Sequence, residues 1–87
     1  MMKKPYWSVT KVIPFEDHSI YLEFEDGRAG LYDAAPLLSV PMFDNLKDIG
    51  FFMKAHNEFN TVVWDEDIDI APETLYKDSK TVLKRSI

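Results

Sequence analysis

Along the first third of the chain, apolar positions recur with a period of two. Ile20, Leu22 and Phe24 alternate with Tyr21, Glu23 and Glu25, which predicts a strand with one buried face. The preceding residues 6–15 are rich in aromatic and β-branched types, and Pro14 predicts a sheet edge or strand terminus there. Glu16, Asp17, His18 and Ser19 form a polar turn between the two. Asp26-Gly27 comes next, a strong hairpin signal because both central positions of a type I′ turn need positive φ. A two-residue loop there pairs Glu25 with Arg28, Phe24 with Ala29 and Leu22 with Leu31. The same test on the earlier turn pairs Phe15 with Ile20 and Ile13 with Leu22. Both registers gather apolar side chains on one face, so the expectation is a three-stranded antiparallel meander over residues 6–32.

Beyond residue 32 the period changes. Asp33 can cap a short helical turn reaching Leu38, which Pro36 limits to a few residues, and Pro41 breaks the chain again shortly after. Behind Asp48, the residues Ile49, Phe52, Met53 and His56 are spaced as one face of an amphipathic helix over 48–56. Gly50 weakens that helix by about 1 kcal/mol relative to alanine, so packing must hold it. Residues 59–64 return to strand character, and Ile68 to Ile70 suit a further short strand. Pro72 opens a last helix over 72–78 at its first-turn position, with Glu73 near the positive end of the dipole. Residues 79–87 read as a frayed tail. The fold class expected is α+β: a three-stranded meander packed with short helices, an additional short β segment and a C-terminal helix. One domain spans residues 1–87, with an ordered core over about 6–78.

Composition narrows the functional classes. Hydrophobic residues make up 46% of the 87 and charged residues 29%, the balance of a folded chain. There is no cysteine, so disulfides, thiolate nucleophiles and thiolate metal sites are excluded. No apolar run approaches the roughly 20 residues that span a bilayer, and no signal-peptide core comes after Lys3 and Lys4, so a cytoplasmic location is expected.

The net charge is −5, unevenly spread. Lys3, Lys4 and Lys11 give residues 1–11 a charge of +3, and Lys77, Lys80, Lys84 and Arg85 against Asp78 give residues 77–87 the same. Residues 12–76 therefore carry −11. Such a body repels phosphate, which disfavours direct nucleic-acid binding and suits a small basic partner protein. The edge at residues 6–13 offers a second route to association, pairing with its counterpart in a homodimer.

Asp65, Glu66, Asp67 and Asp69, with Glu73 behind them, form the densest polar cluster. On a straight strand Asp65, Asp67 and Asp69 share a face and could hold a hard cation, but an EF-hand loop needs glycine where Ile70 stands and glutamate where Tyr76 stands. No nucleophile-elbow pattern surrounds Ser8, Ser19, Ser39 or Ser79, and Gly27, Gly30 and Gly50 make no phosphate-binding loop. No cofactor is expected. Trp64 and Tyr76 are the candidates for an exposed aromatic patch at a protein interface.

Three stretches together carry a resemblance. The block Ile20 to Gly27 precedes Tyr32-Asp33 and Leu37-Leu38, and then come Trp64 and the block Asp69 to Tyr76. In order and spacing this resembles DUF2442, a family of small bacterial proteins of unknown function, over residues 6–78. The resemblance implies a small α+β domain and brings no catalytic residues. It also implies a regulatory context, since some relatives append a helix-turn-helix domain that these 87 residues do not hold. Genes of such proteins often neighbour another small uncharacterised family in an arrangement similar to toxin–antitoxin pairs. Where the family usually has a glycine-containing turn after the tryptophan, this chain has Glu66-Asp67, which makes Asp69 a structural acceptor for backbone donors near the last helix.

The functional expectation is a non-enzymatic interaction module, antitoxin-like toward a small basic protein encoded nearby, with Trp64, Asp69, Glu73 and Tyr76 as interaction or structural residues. The alternatives are a small metal- or ligand-dependent enzyme using carboxylates between Asp65 and Glu73, and an accessory to a transcription regulator.

Overall fold

The computed structural model describes residues 4–65 and 68–84. Its first two hairpins are built alike. Strand β1 (Val9–Pro14) turns into β2 (Ser19–Phe24), and β2 into β3 (Ala29–Asp33). In the first turn Phe15 N–H donates to the Ser19 carbonyl at 2.9 Å and His18 N–H to the Phe15 carbonyl at 3.1 Å. In the second, Phe24 N–H donates to Arg28 and Gly27 N–H to Phe24, both at 2.9 Å. Each loop has three residues and closes on a left-handed one, His18 at φ 66° and Gly27 at φ 89°.

This corrects the two-residue loop at Asp26-Gly27. Asp26 does not adopt positive φ; its Oδ1 instead accepts from Arg28 N–H at 2.9 Å. The second loop is one residue longer than expected and the first one residue shorter than the four-residue turn expected at 16–19, and each register moves by one: Leu22 lies opposite Gly30 rather than Leu31, and Val12 rather than Ile13 lies opposite Leu22. A bulge at Thr10 lets Val9 and Val12 both reach the core although their spacing is odd. Leu31 consequently turns to the outer face and is 38% exposed.

The four-stranded sheet runs β1-β2-β3-β7, its last member being β7 (Lys80–Val82), antiparallel to β3. The reading of residues 79–87 as a frayed tail is corrected over Lys80–Val82, because pairing with β3 satisfies backbone groups that a local pattern of Lys, Thr and Val does not reveal. A second antiparallel sheet has the order β4 (His56–Glu58), β5 (Thr61–Asp65), β6 (Ile68–Ile70). Phe59 and Asn60, expected as strand, are the two-residue turn between β4 and β5, at φ 54° and 64°. The sheets meet where Val9 N–H donates to the Asn60 carbonyl at 2.9 Å and Asn57 Nδ2 donates to the Val9 carbonyl at 3.0 Å. Both Val9 backbone groups are thereby engaged, which closes that part of the edge expected to pair in a homodimer.

Between the sheets the chain forms two 3₁₀ helices, Ala35–Ser39 and Pro41–Lys47, and one short helix, α1 (Ile49–Phe52). Asp33 Oδ1 accepts from Ala35 N–H at 3.0 Å, holding the start of the first. Pro41 begins the second rather than ending order there, since proline suits a first helical turn. The helix expected over 48–56 is corrected to a single turn: Asp48 caps it through Gly50 N–H, and the chain then returns to sheet, placing His56 on β4. Ile49 and Met53 are 36% and 40% exposed, so the helical stripe is not a buried one; Phe52 alone of α1 is buried, and Phe43 and Leu46 from the preceding 3₁₀ helix supply the rest. Helix α2 (Pro72–Asp78) closes the fold with Leu75 in the core. The core unites Val9, Leu22 and Phe24 from one sheet with Val62, Trp64, Ile68 and Ile70 from the other.

Candidate functional site

Because β5 alternates, Val62 and Trp64 point inward while Val63 lies on the outer face, opposite His56 on one side and Asp69 on the other. Glu58, Phe59, Val63, Asp65 and Asp69 line a shallow depression of about 440 Å³ there. Three carboxylates thus surround one aliphatic side chain. At the rim stands Phe59, 86% exposed and in the left-handed region, where a bulky residue carries strain that glycine or asparagine would avoid.

His56 crosses this face with both ring nitrogens against acceptors. Its Nδ1 lies 2.9 Å from the Lys54 carbonyl and its Nε2 2.9 Å from Glu58 Oε2. Both neighbours accept, so only the doubly protonated ring satisfies both contacts. The Lys54 carbonyl, and then Glu58, hold its pKa above the ordinary histidine value.

The structure separates the residues the sequence singled out. Trp64 is 3% exposed; its Nε1–H donates to the Phe52 carbonyl at 3.0 Å and its ring meets Phe52 and Phe43, so the exposed patch assigned to it is corrected to a core clasp. In a domain this small, burying a large indole gains more than exposing it. Asp69 is exposed on the outer face, and among the described residues no side chain caps α2. Glu73 sits exposed in the first turn of α2, as expected from Pro72. Asp65 and Asp69 share the depression; Glu66 and Asp67 lie outside the described residues.

Tyr76 belongs to a different cluster. Its hydroxyl donates to Asp26 Oδ2 at 2.7 Å, and its ring meets Tyr6 and Phe24 edge-on. Arg28 stacks over it at 4.8 Å and donates to the Tyr76 carbonyl (3.0 Å), Ser79 Oγ (3.0 Å), Ser79 O (2.7 Å) and Thr81 Oγ1 (2.9 Å). The Tyr76 hydroxyl, then Arg28 N–H, lower the Asp26 pKa, and the same bond to Asp26 raises that of Tyr76. The two blocks that carry the resemblance, Ile20 to Gly27 and Asp69 to Tyr76, therefore meet through the Asp26–Tyr76 bond.

Sequence reading missed Glu58, Phe59, His56 and Arg28. Asn60 at a turn position between two alternating stretches was the available signal for the third hairpin. Nothing local could reveal the Arg28 contacts, which span 48 to 53 residues.

Among the described residues, no three His, Cys, Asp or Glu side chains are grouped to hold a metal ion. No helix there is long and apolar enough to cross a membrane. No curated protein and no solved structure matches the chain. A family model does match it, over residues 9–81, which takes in both blocks joined at Asp26 and Tyr76, and the chain therefore belongs to DUF2442, a family of proteins of unknown function.

Proposed function

We propose that this DUF2442 protein is a non-enzymatic interaction module of the bacterial cytoplasm that docks a small basic protein, in an antitoxin-like arrangement. The observation that carries the reading is the outer face of β4–β6, where Glu58, Asp65 and Asp69 surround Val63 beside the exposed ring of Phe59. Carboxylates around an apolar floor attract lysine and arginine side chains, and an exposed phenyl ring offers a guanidinium a cation–π surface. The −11 charge of residues 12–76 adds long-range steering toward a basic partner.

The test is a pull-down with the product of the adjacent gene at low and high salt. Retention at low salt, weakened by Glu58→Lys with Asp69→Lys and by added salt, is the expected outcome. Failure to retain that product at low salt counts against the proposal, and equal retention by the charge-reversed variant removes this face from it.

A further inference from the structure

Without β7, strand β3 would end the larger sheet as an open edge. Little apolar burial holds β7 in place: Lys80 and Thr81 are exposed and Val82 is only half-buried. What holds it is specific to β3. At Gly30 a Cβ would lie 2.5 Å from Ser79 Oγ and 2.9 Å from Ser79 Cβ, so the missing side chain is what admits Ser79. Arg28 then engages Ser79 through its hydroxyl and carbonyl and Thr81 through its hydroxyl. Together Gly30 and Arg28 read an extended segment bearing hydroxyls at its first and third positions. Ser8-Val9-Thr10 has the same pattern, but Ser8 is buried at the start of β1. Ser79, extended at ψ 146°, is all that joins the segment to α2.

We propose that Ser79–Val82 is an exchangeable strand, which leaves the β3 edge as a unit while the rest of the fold stays intact and is replaced at high concentration by the same segment of a second copy. The ladder and the Arg28 contacts to Ser79 and Thr81 are available in either arrangement, so what exchange gives up is the Ser79 N–H bond to the Leu75 carbonyl of its own α2. The closed monomer is favoured by the effective concentration of a short tether, of millimolar order, so the exchanged dimer belongs to that range. Segments with few buried apolar contacts open below the global unfolding free energy, which makes the opening accessible.

Two measurements on the full chain test this. Native-state hydrogen exchange is expected to show the amides bonded between β3 and β7 exchanging at least roughly tenfold faster than those between β1 and β2, with Arg28→Lys widening the gap. The chain has no cysteine, so Leu83→Cys, at a position 92% exposed, carries one spin label. Mixed at about 1 mM with an isotope-labelled copy, it is expected to broaden the Ala29–Leu31 amides of that copy. Equal exchange across both ladders overturns the opening. Absent broadening, or broadening spread over the whole surface, overturns the second-copy occupant.

Discussion

Arg28 ties the second hairpin to the C-terminal part of the chain, and removing its guanidinium tests how much of the fold depends on that tie. It donates four hydrogen bonds at 2.7–3.0 Å, two of them to the Tyr76 and Ser79 carbonyls, and stacks over Tyr76 and Phe24 at 4.8 and 5.5 Å. Bonds from a charged donor are worth about 1.5–3 kcal/mol when buried, but Arg28 is only partly buried and water can rehydrate the carbonyls, so the four together are taken at about 1.5–2 kcal/mol. The stacking adds about 0.5–1 kcal/mol. Arg28→Met is therefore expected to cost about 2–3 kcal/mol, or about 10–20 °C in Tm for a chain of this size. Arg28→Lys keeps the charge without the planar fork and is expected to recover less than half of that. Urea unfolding monitored by circular dichroism measures both, with the exposed Lys77→Met as a control expected to change nothing. A loss under about 0.5 kcal/mol in Arg28→Met would refute the reasoning, because solvated bonds of no net worth would then be all that the guanidinium makes. Recovery of full stability by Arg28→Lys would show that charge, and not geometry, does the tying.

The remaining predictions concern single sites. Trp64→Phe keeps most of the apolar volume and removes one of the two donors to the Phe52 carbonyl, which still accepts from Ala55 N–H, so a loss of about 0.5–1.5 kcal/mol in urea is expected, and no loss would mean the bond carries nothing. Phe59→Gly relieves a left-handed residue that packs on little, so stability should rise by about 0.5–1 kcal/mol while capture of the basic partner weakens; a destabilised variant contradicts this. Ser8 is 1% exposed and its hydroxyl has no partner among the described residues, so Ser8→Ala should be neutral or gain up to about 1 kcal/mol, and a clear loss would reveal a missed contact. The folded-state pKa of His56 lies above the unfolded one, so its contribution to stability is complete below about pH 6.5 and is lost as pH rises through the folded value. Titration of the His56 ring by NMR should place it above the ordinary value and show a fall in Glu58→Gln; an unshifted ring in the unaltered chain refutes the pairing.

Much of the fold was legible from local pattern, because period-two alternation and turn chemistry act over neighbouring residues. The meander, the strand character near Ile68 and the Pro72 helix start all arise from such short-range preferences. Register did not. Two- and three-residue loops suit the same Asp26-Gly27 pair, and with alternatives one residue apart the choice falls to what each face packs against; Gly30 opposite Leu22 makes sense only once Ser79 lies over it. The helix over 48–56 failed for a related reason. Helical spacing at Ile49, Phe52 and Met53 is compatible with a single turn, and the pairing of His56 with Val63 outweighed its continuation.

The candidate site divides in the same way. Acidity of the body and the absence of nucleophile and phosphate-loop motifs are properties of composition, independent of folding. Which carboxylates share a surface depends on sheet pairing: Glu58 and Asp69, eleven positions apart, come to one depression because β5 runs between them. Trp64 was drawn inward and Phe59 outward though both are aromatic, since strand parity and a two-residue turn, rather than residue type, set the direction of each. Contacts that close the chain over about fifty residues, Tyr76 to Asp26 and Arg28 to Ser79, leave no local trace, because a side chain's partner is chosen by the packed whole and not by its neighbours in sequence.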